Sequence, residues 1–134
     1  MCFYIDPDHP KIKTASKDIT TFKVVNSDLS PLINFKNCFH YIPGKPAPKV
    51  ELLIDKIDYF GRLCISEGYH SWGSEKRAES FALLWLYSPY YYKCIIPEGT
   101  KYYFSQEFCE YVSETIIITN EKIKVTRKIS VQTA

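Results

Sequence analysis

The stretch Tyr90-Tyr91-Tyr92-Lys93-Cys94-Ile95-Ile96-Pro97-Glu98-Gly99-Thr100-Lys101-Tyr102-Tyr103-Phe104 decides the fold. Aromatic and β-branched residues fill both flanks, as strands require. Pro97 to Thr100 supplies what a type II-like turn needs, with Gly99 at its third position. The stretch reads as two extended segments joined by a tight turn. Side chains alternate along a strand, so Tyr91 and Lys93 take one face and Tyr90, Tyr92 and Cys94 the other. Tyr102 and Tyr103 likewise point oppositely. One pocket cannot hold all these tyrosines, and most of them serve as sheet core and rim.

Upstream lies the best helix, residues 75–87. Ser74 is a natural N-cap and Glu75 suits the positive end of the helix dipole. Ala78, Phe81, Ala82 and Trp85 fall on one stripe, and Pro89 bars continuation. Before it, Leu63 to Ser66 leads into Glu67–Gly73, a short strand ending in a turn around Gly68–Trp72. Downstream, Glu110 to Ser113 runs into Thr115–Thr119, whose apolar density predicts a central strand. Asn120-Glu121 reads as a hairpin turn into a last strand at 122–131. Near the start, residues 1–17 form an extended segment and a loop, and Ile19–Val25 is a strand. Ser30 to Asn34 is open between a helical turn and a strand entry. Residues 35–42 are expected to contain a strand, and 49–60 an extended arm. Three prolines in Pro43–Pro48 oppose both helix and ladder pairing, so this segment reads as a mobile loop. The expected fold is a single α+β domain over residues 1–134, a mostly antiparallel twisted sheet carrying one main helix.

Bulk composition excludes several functions. A chain of 134 residues suggests one domain. The 16% aromatic content, with 11 Tyr and 8 Phe, fits a β-rich core. Seventeen basic against 15 acidic residues leave a net charge of +2, too balanced for a nucleic-acid binder. Lys122, Lys124, Arg127 and Lys128 alternate with Ile123, Val125 and Ile129, the pattern of a solvated strand face. The 5 cysteines lack CxxC spacing, and His9, His40 and His70 are scattered, so no metal site is expected. Free thiols point to a reducing cytoplasm. No apolar run approaches a membrane span, and no signal-peptide core precedes Asp6-Pro7. GxGxxG, Walker A, HExxH and GxSxG motifs are absent.

The functional candidates cluster in residues 67–119. Tyr69, His70, Ser71, Trp72 and Tyr111 are candidate ligand-binding residues, and Glu110 is the candidate catalytic carboxylate. Each also has a plain structural role: His70 held by a backbone carbonyl, Glu110 as a solvent carboxylate, Trp72 as core.

Five segments resemble small uncharacterised proteins encoded by gut Bacteroides and their phages: Met1–Ile5, Lys17–Val24, Gly68–Trp72, Lys93–Tyr103 and Glu110–Ile117. The resemblance spans most of the chain and includes the Lys-Cys-Ile-Ile-Pro-x-Gly-Thr strand motif at Lys93–Thr100. The resemblance implies a phage or mobile-element setting in the cytoplasm of a bacterial host, and no activity. More loosely, Gly68-Tyr69, the small-residue helix from Ser74 and Ala78, and Glu110-Tyr111 resemble the C-terminal half of ADP-ribosyltransferase folds of the poly-ADP-ribose polymerase type. That likeness implies a nicotinamide pocket at Gly68-Tyr69 and a catalytic role for Glu110 on NAD or an ADP-ribose-type nucleotide. The family carries a His-Gly or Arg motif on its first strand, where Thr20–Val24 offers Lys23 alone. The expected function is therefore a non-catalytic accessory protein that binds a small nucleotide-like ligand or a host protein. An ADP-ribosyltransferase-like enzyme and a homo-oligomeric assembly protein are the alternatives.

Overall fold

The computed structural model describes residues 3–5, 11–26, 28–30, 40–52, 54–57, 63–65, 67–83 and 90–126. The strands in chain order are β1 (Phe3–Ile5), β2 (Lys13–Thr14), β3 (Ile19–Lys23), β4 (Ile54–Ile57), β5 (Leu63–Ile65) and β6 (Tyr69–Trp72). Helix α1 (Glu75–Phe81) follows, then β7 (Tyr90–Ile96), β8 (Lys101–Ser105), β9 (Glu110–Ser113) and β10 (Ile117–Lys124). Seven strands form one sheet in the order β10-β7-β3-β6-β9-β8-β2, with every pairing antiparallel. A smaller sheet of order β1-β5-β4 is also antiparallel. The architecture is a sheet-dominated α+β fold in which α1 is the α-helix of the described residues.

The quoted stretch behaves as its pattern dictates. Tyr90–Ile96 and Lys101–Ser105 are strands, and Gly99 takes φ +86 in the turn between them. Cys94 and Ile96 are fully buried on one face, with Tyr92 packed beside them. Tyr91 is buried on the other face, against Val24, Ala78 and Ala82. Tyr102 and Tyr103 separate in the same way, into different clusters.

Helix α1 starts where the sequence places it. The Ser74 side chain accepts a hydrogen bond from the Arg77 N–H at 3.2 Å. Ala78 and Ala82 are fully buried, small enough to bring the helix close to β3 and β7. Phe81 packs on Trp72 of β6, ring centroids 5.4 Å apart. Residues 84–89, including Trp85 and the expected helix end, lie outside the described residues. On the same face, Ile65 of the small sheet packs with Tyr103 and Val112. Among the described residues the opposite face holds the largest core, including Tyr41, Tyr69, Cys94, Ile96, Ile116 and Ile118.

Four expectations need correction. Gly68–Trp72 is not a turn: Tyr69–Trp72 is an interior strand, and only Gly68, at φ +136, bends the chain into it. The strand from Ile117 is not central but lies at the sheet edge. Ile116 and Ile118 are buried in a cluster that includes Ala47 of the proline-rich segment, which is not loose. The N–H groups of Gly44, Ala47 and Val50 donate to the carbonyls of Ile118, Ile116 and Glu114 at 2.8, 2.9 and 2.9 Å. The prolines lack N–H groups, but Gly44 and Ala47 lie between them and supply the donors. Finally, Asn120-Glu121 makes no hairpin. The strand runs on to Lys124 through an irregularity between Ile118 and Lys122. There the Thr119 hydroxyl donates to the Lys93 carbonyl at 2.7 Å and accepts from the Glu121 N–H at 3.1 Å. Most of the strand expected at 35–42 lies outside the described residues, and His40 to Ile42 form none.

Candidate functional site

The polar centre of the fold forms where β6 meets its two neighbours. Against β9 the ladder is regular: Tyr69↔Ser113, His70↔Val112, Ser71↔Tyr111 and Trp72↔Glu110. Against β3 there is only the pair Phe22↔Trp72, although β3 makes five pairs with β7. The ladder between β3 and β6 therefore opens beyond Phe22. The Lys23 ammonium closes part of the gap by donating to the His70 carbonyl.

The register places His70, Trp72 and Glu110 on the α1 side of the sheet. Glu110 stands opposite Trp72, and His70 lies diagonally across from it, within reach of two long side chains. The imidazole Nδ1 meets Glu110 Oε1 at 2.9 Å, with side-chain exposures of 13% and 9%. A carboxylate only accepts, so Nδ1–H donates, and Nε2 carries the lone pair whenever the ring is neutral. Among the described residues, Glu110 Oε2 finds no hydrogen-bond donor. One side of the dyad is bounded by the cluster that includes Trp72 and Phe81, the other by Val112 with Ile65.

Tyr69, Ser71 and Tyr111 occupy the opposite face. Tyr69 is 1% exposed, and its hydroxyl donates to the Pro48 carbonyl at 2.5 Å. Desolvation pushes its phenol up to about 12. Tyr111 packs at a tilt against Phe104 and Tyr102, centroids 4.5 and 5.6 Å away. The sequence candidates are thus split by strand alternation. His70, Trp72 and Glu110 come together, while Tyr69, Ser71 and Tyr111 lie behind them.

Sequence reasoning gives Lys23 no role of its own, yet it adjoins this centre. Alternation with Thr21 puts it on the inner face away from α1, next to Cys94, which pairs with Thr21. The readable signal is a lysine at an inward strand position. Burial pulls its ammonium down to about 8, opposed by the nearby Cys94 and Glu110. Burial also pushes the Cys94 thiol up to about 12, opposed by Lys23. The ordinary lysine value is 10.5, so the folded state releases this proton first. Between about pH 8 and 10.5 the unfolded chain binds more protons, and the destabilisation by the buried charge is relieved as pH rises. From pH 7 to 9 this should add about 1 kcal/mol of stability. Cys94 acts in the opposite sense above its ordinary value of 9, where the unfolded thiol ionises first. Denaturant titrations at pH 7 and 9 should show the gain in the wild type and not in Lys23→Met.

Among the described residues no group of three or more His, Cys, Asp or Glu side chains is placed to hold a metal. No described helix is long and apolar enough to cross a membrane. Compared with known protein families, curated proteins and solved structures, the chain matches none.

Proposed function

We propose that the protein is a non-catalytic binding protein for a small nucleotide-like ligand, held on the α1 side of β6 and β9. The observation that carries this reading is the His70–Glu110 dyad, 2.9 Å apart, nearly buried and beside an indole. Glu110 Oε2 can accept from a ribose hydroxyl or a heterocyclic N–H, and Trp72 offers a flat apolar wall. Few but converging polar groups among apolar ones are what small-molecule sites contain. The resemblance to Bacteroides phage proteins extends the proposal to an accessory role for a phage or mobile element in its bacterial host.

Intrinsic tryptophan fluorescence, titrated with nucleosides, nucleotides and NAD, tests this reading. A saturable change with at least one of them, abolished by His70→Ala, is expected. NAD should remain intact on long incubation. Glu110 Oε2, without a donor among the described residues, also suits the catalytic alternative, and NAD consumption that Glu110→Gln stops would replace binding with ADP-ribosyl transfer. No response to any compound would end both readings.

A further inference from the structure

We propose that Lys23, Thr21 and Ser71 form a binding site for a phosphate-like oxyanion on the face of the sheet opposite α1. Thr21 and Lys23 alternate on β3 and share that face. The Phe22↔Trp72 pair sets Ser71 of β6 level with Lys23, and the bond from Lys23 to the His70 carbonyl ties the two strands together there. Thr21 Oγ1 and Ser71 Oγ are buried, with residue exposures of 0% and 1%, and among the described residues neither has a hydrogen-bond partner. Lys23 forms no ion pair with any described carboxylate, and its one acceptor there is a neutral carbonyl.

These observations share one explanation. Buried hydroxyls normally find partners, and a buried ammonium normally finds a counter-charge. A trapped water would satisfy the hydroxyls and leave the charge with only the partial compensation that Glu110 gives it through the sheet. An oxyanion satisfies all three groups: two hydroxyl donors, the two remaining N–H bonds of Lys23, and opposite charge. No described carboxylate competes for the place, because Glu110 points to the α1 side and the neighbouring Cys94 thiol is kept protonated by burial. The missing ladder pairs between β3 and β6 leave the way in. This site lies behind the sheet from the His70–Glu110 dyad and does not depend on the ligand proposed there.

Sulfate is the probe, because its charge is constant across the pH range. It is titrated at pH 7 against chloride of equal ionic strength, with backbone amide NMR shifts as the readout. Saturable shifts at residues 21–23 and 70–72 are expected in the wild type. Lys23→Met should weaken binding about tenfold or more, the size of a lost charged hydrogen bond. Thr21→Val and Ser71→Ala keep the shape of the core and should each weaken it several-fold, so the test survives even if Lys23→Met does not fold. Raising the pH from 7 to 9 should weaken sulfate binding as Lys23 loses its proton; among the described residues Cys94 and Tyr92 on β7, Glu110 and Tyr111 on β9 and His70 on β6 are the titratable groups around it. Shifts no larger than with chloride, or equal sulfate affinity in the wild type and all three variants, would overturn the proposal. Inorganic phosphate and adenosine monophosphate then separate the sources. Equal affinity marks a free oxyanion, and much tighter monophosphate binding marks a nucleotide's phosphate, the site standing in either case.

Discussion

Tyr69→Ala is expected to lose about 3–5 kcal/mol of stability, the usual range for removing a large buried ring. Among the described residues Tyr69 is the largest fully buried side chain, and it meets Tyr41 edge-on at a centroid distance of 6.2 Å. Its hydroxyl also ties the sheet to Pro48, in the segment that covers β10. Small domains have only about 5–15 kcal/mol in total, so this one change removes a large fraction. Tyr69→Phe keeps the ring and loses the bond to Pro48, at a cost of about 1 kcal/mol. Urea denaturation of both variants checks the pair. If Tyr69→Ala unfolds like the wild type, the residue is not the core anchor described above.

Gly68→Ala is the second large effect, expected to cost roughly 2–5 kcal/mol from backbone strain and overpacking together. Gly68 takes φ +136, which L-residues rarely adopt. A Cβ there would stand 2.5 Å from Val112 Cγ2 and 2.7 Å from Leu52 Cδ2. Gly99 provides the control, with φ +86 but open space within 4 Å of where its Cβ would stand. Gly99→Ala should therefore cost less, since it meets the positive φ without the close approach. Equal losses at the two positions would show that φ alone matters and that the close approach of β6 to Val112 does not.

These two residues also show what can be read from a sequence and what cannot. The turn at Gly99 is local chemistry, and Pro97 to Thr100 announces it. The cap at Ser74 and the alternation of Tyr90–Ile96 are equally local, and the structure bears them out. Gly68 reads as part of a turn because glycine before Tyr-His-Ser-Trp carries no register information. Only the pairing of β6 with β9 makes those four residues an interior strand. The same pairing brings His70 to Glu110 across 40 residues of sequence. Alternation within Tyr69–Trp72 already implies that Tyr69 and His70 face opposite ways. What it leaves open is which face meets Glu110. The position of Thr115–Thr119 fails for a related reason: apolar density reports burial, and here a proline-rich segment provides the cover that a neighbouring strand was expected to provide.

The most direct test of a binding site on the α1 side is a comparison of variants on the two faces of β6 and β9. Thermal shifts with the compound that binds best would be measured for the wild type, His70→Ala, Glu110→Gln and Tyr111→Ala. A ligand at 100 times its dissociation constant stabilises by about 2.7 kcal/mol, a shift that melting curves resolve. His70→Ala and Glu110→Gln should abolish that shift, while Tyr111→Ala, altered only on the far face, should retain it. Loss of the shift in Tyr111→Ala with retention in His70→Ala would place the ligand on the other face and contradict the proposed site.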